Sequence, residues 1–515
     1  MPRTFSSMNA VRYLLSLAAG ALIPLGFSPF DYWPVSMLAV GAIFLLSRNL
    51  PVKVTALCGF LFGLGMFGAG TSWVYVSIHE FGAASPLLAG LLTSLFVAGV
   101  SAAMILPLFW IYGWLNQRKT NTGNKLQPWQ QALLFAGLWV LFEWVRSWLF
   151  TGFPWLLLGY TLIDTPFSGL APVTGTYGLS LLITATICLL ATLLIPNSQK
   201  KQNLLALVPL MACWAVAWSL SSVQWTEKTG TLSFSAVQGN IPQNLKWNPD
   251  YVQSTLNTYM DLSEGHWDQD LVIWPENAIP LFYNRAKGLM NQLDRHAKQN
   301  NSALILGMPV DDNSGDRTRY YNGILSMGEG EGMYFKQQLV PFGEYVPMEF
   351  ALRGLIDFFN LPMSDFSKGS PEQELLKAGN AQIAPYICYE VVYPDFAAQL
   401  ANDSDLLVTI SNDTWFGQSI GPVQHFQIAR MRSLETGRFM IRATNDGITA
   451  LINEKGEVLE TIPRFNSGVL SATTELRSGT TPFMIFGSWP VLLISFLLMA
   501  VPSRLRKRLS PKKAN

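Results

Sequence analysis

Cys388 is the one cysteine of four that lies outside the long apolar runs, since Cys58, Cys188 and Cys213 all sit within them. It closes an apolar, β-rich run and is followed by Tyr389-Glu390-Val391, so its thiol falls where a strand hands over to a turn or helix. A helix N-terminus or a nearby lysine lowers a thiol's pKa from about 8.5 toward the thiolate that does nucleophilic work. An isolated cysteine ordinarily serves as a small buried hydrophobe. Here acidic and basic groups recur at the ends of other strand candidates. Glu276, in Leu271-Val-Ile-Trp-Pro-Glu276, sits just past a buried run, where partial desolvation raises a carboxyl toward the range useful for proton transfer. Lys336 ends another run, before the apolar turn with Pro341 and Gly343, and a cation there can stabilise the oxyanion of a tetrahedral intermediate. Taken singly, Glu276 and Lys336 read as surface charges. The domain's histidines, His266, His296 and His425, lie in helical or loop context and read as solvated or satisfied, so a Cys–His protease or amidase reading is weak.

The elements that must position these groups follow from composition. The chain of 515 residues is 50% hydrophobic and 13% charged, where a soluble protein carries about 25% charged residues. The deficit is concentrated in 1–225 and 482–501, while 226–480 reads as water-soluble. A net charge of +1, with no basic stripe, gives no reason to expect nucleic acid.

Within 226–480, β-rich runs at 232–237, 271–274, 303–306, 324–327, 333–336, 383–387, 406–410, 439–443, 449–453 and 469–472 alternate with helical patterns at 250–262, 284–299 and 422–437. That alternation predicts sheets covered by helices. Gly328-Glu-Gly-Glu-Gly332 lacks the Lys-Ser/Thr and helix of a phosphate loop, and reads as a hairpin turn.

Apolar runs at 13–30, 33–46, 54–78, 86–115, 132–150, 177–195, 204–221 and 483–501 suit a span's requirement of roughly 20 residues, giving about eight spans. The first carries Pro24 and Gly26 and reads as a retained helix rather than a signal peptide. Basic residues mark alternate connections: 47–53, 117–125, Lys200 with Lys201, and the tail with Arg504, Arg506, Lys507, Arg508, Lys512 and Lys513. By the positive-inside bias both termini are cytoplasmic and 226–480 faces outward, an oxidising side where a partnerless cysteine is unusual. Glu143 and Arg146, three apart on one helical face, read as a structural pair at the interface or as lining for a lipid headgroup path. The Gly- and Pro-broken apolar segment 151–160 follows them.

Trp274-Pro-Glu276, Tyr334-Phe-Lys336 with Leu339-Val-Pro-Phe-Gly-Glu-Tyr345, and Cys388-Tyr-Glu390 together resemble the Glu/Lys/Cys triad of the nitrilase superfamily. Within it, the chain resembles the bacterial apolipoprotein N-acyltransferases over nearly its whole length. Val237-Gln-Gly-Asn-Ile-Pro-Gln243 with Lys246-Trp247, Ser411-Asn-Asp-Thr-Trp-Phe-Gly417 and Gly152-Phe-Pro-Trp155 fit that pattern too. The resemblance implies a polytopic helical membrane domain (1–225), an outward α/β nitrilase-like αββα sandwich (226–480), and a last span with a basic cytoplasmic tail (481–515). It implies Cys388 as nucleophile, Glu276 as base and Lys336 as stabiliser, with support from Glu344, Tyr389 and Glu390. Trp247 and Trp415 would lie on mobile arms over the site. The implied reaction is ping-pong transfer of an acyl chain from phospholipid to a lipoprotein's diacylglyceryl-cysteine amine through a thioester, at the bacterial cytoplasmic membrane, with no cofactor or metal. A membrane-tethered amidase, and a lipid-binding or transport scaffold with a degenerate enzyme domain, are the competing readings.

The orientation is directly testable. Reporters fused after Leu46 or Leu115 should behave as cytoplasmic, and a reporter within 226–480 as extracytoplasmic; a cytoplasmic signal from the latter would overturn the assignment.

Overall fold

Continuous aliphatic runs become strands where both faces can be buried, as Leu271–Ile273 and Leu406–Ser411 are in the computed structural model. It describes residues 2–82, 84–117, 125–196, 200–315, 317–345 and 365–508. The basic segments 118–124 and 509–515 of the topology argument lie outside the described residues. The chain divides into two units, Met1–Tyr75 with Leu87–Val223 and Phe486–Asn515, and Val76–Pro86 with Gln224–Ile485.

The first unit is helical. Its described segments include five helices long and apolar enough to cross a membrane, the longest being Pro86–Gln117, and two shorter apolar helices, Trp33–Ser47 and Trp489–Ala500. Helices Pro2–Leu22 and Val52–Gly70 approach closely at glycines: a Cβ on Gly65 would stand 2.1 Å from the Leu17 carbonyl oxygen. Small residues at such crossings let backbones touch where lipid offers no hydrophobic drive to association. The run expected at 54–78 ends its helix at Gly70, because Thr71 closes it with an N–H bond to the Phe67 carbonyl, and Val76–Pro86 belongs to the second unit. Glu143 and Arg146 clamp one turn. Glu143 Oε1 accepts from the Leu158 N–H at 3.0 Å and from Trp139 Nε1 at 2.9 Å, and Arg146 Nη2 donates to the Leu156 carbonyl at 3.3 Å. The apolar segment after them is therefore a braced set of turns.

In the second unit the described strands are β1 (Glu227–Gln238), β2 (Leu271–Ile273), β3 (Ala303–Asp312), β4 (Arg319–Gly328), β5 (Gly330–Glu331), β6 (Met333–Phe335), β7 (Leu376–Ala378), β8 (Ala381–Ile387), β9 (Leu406–Ser411), β10 (Met440–Thr444), β11 (Thr449–Ile452), β12 (Val458–Ile462) and β13 (Gly468–Ser478). They form two sheets, β13-β1-β2-β3-β4-β6 and β12-β11-β10-β9-β8-β7-β5. One core of inward-facing residues from both sheets, including Phe234, Ile273, Ile305, Ile387, Ile410 and Ile441, fills the space between them. The opposite face of the first sheet packs Val272, Leu304 and Leu306 against helices Val252–Ser263 and Tyr283–Gln299. On the second sheet Tyr386 reaches outward, its hydroxyl donating to the Ala397 carbonyl of helix Pro394–Ala401 at 2.8 Å. The result is a helix–sheet–sheet–helix stack. Gly328–Gly332 turns the chain between the antiparallel β4 and β6, as the hairpin reading anticipates. β5, β7 and β12 have no counterpart among the expected runs: β12 is largely exposed, and β5 and β7 are two and three residues long with charged residues in them, so none shows an apolar run to read.

Phe234→Ala should lower the stability of this unit by about 3–5 kcal/mol, the usual cost of an emptied aromatic core position, read as a lower unfolding midpoint of purified protein. An unchanged midpoint would remove inter-sheet packing as the source of stability.

Candidate active site

β1, β2 and β3 run parallel, as do β8, β9 and β10, and ligand sites in such sheets form outside the carboxyl ends of the strands. Glu276 follows β2, Lys336 follows β6, Cys388 follows β8 and Asn412 follows β9. Ile387 pairs with Ile410, which sets Cys388 beside Ser411. The sequence scattered over more than a hundred residues thus converges at one rim.

Lys336 is buried, its Nζ 2.9 Å from Glu344 Oε1 and 3.6 Å from Glu276 Oε1. Burial works against its charge, but Glu344 and then Glu276 outweigh it and hold the ammonium above its ordinary pKa. Asn322 of β4 donates from Nδ2 to both carboxylates, 2.8 Å to each, locking them around the lysine. The second oxygen of Glu276 accepts the Asn412 N–H at 2.8 Å, and that of Glu344 the Val340 N–H at 2.8 Å. Gly307 is required here, since a Cβ would stand 2.7 Å from the Glu276 Cα. Behind Glu276, buried Lys246 donates to its backbone carbonyl at 2.9 Å, and burial lowers this lysine to about 8 against the pull of Glu276 and Asp446.

Cys388 is half-buried and has φ +51°, a left-handed conformation that costs a residue with a side chain on the order of 1–3 kcal/mol and is kept only where surroundings enforce it. Burial first, and the charge of Glu276 next, push its thiol above the ordinary range, against the pull of Lys336. The thiol therefore rests protonated at neutral pH and needs a base. Glu390 is fully buried. One of its oxygens accepts the Ile387 N–H at 2.8 Å, and the other accepts the Tyr334 hydroxyl at 2.9 Å and the Gln337 N–H at 2.6 Å. Burial raises this carboxyl to about 7 in spite of those donors. It ties the strand end that carries Cys388 to the one that carries Lys336. Tyr389 is buried, its ring edge-on to Tyr393 at 5.4 Å.

Trp247 and Trp415 are both half-buried. Trp247 follows the turn that Gln243 fixes, with Asn412 Nδ2 donating to Gln243 Oε1 at 2.8 Å. Trp415 meets Phe81 edge-on at 6.0 Å, and its carbonyl accepts from Ser77 Oγ at 2.7 Å. Of the histidines, His266 Nδ1 bonds Ser471 Oγ at 3.0 Å and His296 stacks edge-on against Trp267 at 4.8 Å. His425 is different: it is buried beside Cys388, with Asp413.

Sequence reasoning passed over Asn322, Asp413, His425 and Arg442 as site residues. The available signal was a polar residue inside an otherwise apolar strand, as in Tyr-Tyr-Asn322-Gly-Ile-Leu and Met-Ile-Arg442-Ala-Thr. Buried polar groups of that kind must be paired, and their partners lie far away in the chain.

Comparison with known proteins fits this geometry. A family model described as the apolipoprotein N-acyltransferase N-terminal domain matches residues 19–190, and one described as carbon-nitrogen hydrolase matches residues 234–480. The chain is 48% identical over 491 residues to the apolipoprotein N-acyltransferase of Pseudomonas aeruginosa, covering 95% of this chain and 94% of that one. It is 46% identical to that of Azotobacter vinelandii, with 97% of each chain covered, and 38% identical to that of Photobacterium profundum, covering 99% of this chain and 97% of the other. The chain belongs to the apolipoprotein N-acyltransferase family, acyl-transferring enzymes built on a carbon-nitrogen hydrolase domain.

Proposed function

We propose that this enzyme takes an acyl chain from a phospholipid onto Cys388 and passes it to the α-amine of a lipoprotein's N-terminal diacylglyceryl-cysteine. The observation that carries this reading is the convergence of a protonated, desolvated thiol with Glu276 and a fixed ammonium at one rim. Glu276 takes the thiol proton, and the thiolate attacks the ester carbonyl. Lys336, with a backbone N–H beside Cys388, stabilises the oxyanion. The C–O bond breaks, and the lysophospholipid alkoxide leaves with the proton from Glu276. The thioester is then attacked by the amine, whose proton goes to Glu276. The C–S bond breaks and the thiol is restored. Glu344 and Asn322 hold Glu276 and Lys336 in register, Tyr389 and Glu390 support the nucleophile's turn, and Trp247 and Trp415 sit on arms that admit lipid.

Placement follows the same logic. In this reading the chain sits in the bacterial cytoplasmic membrane, with the α/β unit on the extracytoplasmic side and both termini in the cytoplasm, which the apolar helices and the alternation of basic connections support. Donor and acceptor are lipids and reach the site laterally from the outer leaflet without crossing bulk water.

Given phospholipid and no acceptor, the protein should gain one acyl mass on Cys388 as a hydroxylamine-sensitive thioester, and a diacylglyceryl peptide with a free amino terminus should discharge it. Loading of Cys388→Ala would sink the nucleophile assignment, and discharge to water as fast as to the amine would favour a hydrolase. Glu276→Gln cannot accept a proton and should lower loading by about 10² to 10⁴ while the protein still inserts; near-normal loading would exclude Glu276 as the base. Because the Cys388 thiol is shifted upward, its alkylation by iodoacetamide should keep rising with pH through about 9, beyond the point where an ordinary thiol of pKa about 8.5 begins to level off. A plateau near pH 7 would instead indicate a preformed thiolate.

A further inference from the structure

Cys388 Sγ, a carboxylate oxygen of Asp413 and a ring nitrogen of His425 lie within 4.8 Å of one another, the residue types of a nucleophile–base–orienter set. The hydrogen bonds exclude that use. His425 Nε2 is 3.1 Å from the carbonyl oxygen of Cys388, an acceptor only, so Nε2 carries the proton and donates. Nδ1 on the other side of the ring is 3.2 Å from Asp413 Oδ1 and 3.1 Å from Arg442 Nη2. Both ring nitrogens are thus engaged by partners fixed in the fold. Burial first, then the Arg442 charge, lower the imidazole's pKa against the pull of Asp413.

The ring is itself held. Arg442 Nη2 donates to Asp413 Oδ2 at 2.7 Å, Ser411 Oγ donates to Asp413 Oδ1 at 2.6 Å, and all of Asp413, His425 and Arg442 are buried. A Cβ on Gly447 would stand 2.4 Å from Asp413 Oδ2, so the carboxylate is walled in from that side as well. The chain of contacts ends on the carbonyl of Cys388, which has φ +51°. Glu390 secures the Ile387 N–H, one residue before Cys388, and His425 secures the Cys388 carbonyl itself.

We propose that His425 is a positioning residue: its Nε2–H, oriented by Asp413 and Arg442, holds the Cys388 carbonyl and so keeps the left-handed turn that aims the thiol at Glu276 and Lys336. The inference rests on the reading of Cys388 as nucleophile. Proton transfer and attack need near-contact geometry, and a displacement of about 1 Å costs about 10²-fold in rate.

The test compares His425→Gln, whose amide nitrogen reaches the Nε2 position, with His425→Asn, whose amide reaches only the Nδ1 position. Full-length protein in detergent is given a diacyl phosphatidylethanolamine as donor and a diacylglyceryl-cysteinyl peptide as acceptor. Asn should lower kcat by about 10²-fold, leave the donor KM within about twofold, and slow iodoacetamide labelling of Cys388, mapped by peptide mass against Cys58, Cys188 and Cys213 as internal references. Gln should recover most of the rate and of the labelling. Equal impairment of Gln and Asn, a wild-type rate in Asn, or a loss confined to KM overturns the proposal. Asp413→Asn, which keeps the side-chain shape, should reproduce the kcat loss at constant KM; full activity there overturns the role given to the Asp413–Arg442 support. Wild-type loading of Cys388 separates the two levels of failure: without it the nucleophile reading falls and the inference with it, whereas normal wild-type loading with an indifferent His425 defeats the inference alone.

Discussion

One ammonium, that of Lys336, is buried between the carboxylates of Glu276 and Glu344, and the geometry of the rim depends on it. Taking such charges out of water costs several kcal/mol per ion unless each finds partners of good geometry, and removal of one member leaves the others uncompensated. The fold meets that demand from four directions. Asn322 bridges the two acids from β4, Asn412 and Val340 cap their remaining oxygens with backbone N–H groups, and β6 delivers the lysine. Both sheets contribute, so the cluster also fixes their mutual register at this end. Glu276 is thereby held without freedom to swing away.

Cys388 obeys a second constraint. A thiol kept neutral by burial is inert until a base removes its proton. The left-handed turn at Cys388 is fixed by bonds from Glu390 to the Ile387 N–H and from His425 to the Cys388 carbonyl. Strain of this kind persists only where surrounding structure over-determines it. The surroundings here are rigid: Glu390 is fully buried with four donors, and Arg442 and Asp413 make a charge-assisted bond inside the second sheet.

The helical unit follows different rules. With lipid outside, its helices are held by close glycine crossings and by polar groups turned inward, as Glu143 and Arg146 are toward the 156–158 turn.

Much of this was legible along the chain. The 13% charged content and its uneven spread declared a membrane part and a soluble part, since hydrocarbon excludes ionised side chains. Alternating β-rich and helical runs gave the layered α/β class, and Cys388, Glu276 and Lys336 stood at strand ends because a strand's end is where a polar side chain can leave the core. Their motifs also placed Glu344 and Glu390. What only the tertiary structure decided is which buried polar residues meet. Asn322 bridges acids 46 and 22 positions away, and Arg442 and His425 converge on Asp413 from 29 and 12 positions away. His425 read locally as a satisfied side chain on a helix, and it is one; that its satisfied nitrogen holds the carbonyl of Cys388 is a fact of sheet register and helix placement. Local pattern reports burial and periodicity, whereas the pairing of isolated polar groups is set by contacts between distant segments, to which no period in the sequence corresponds.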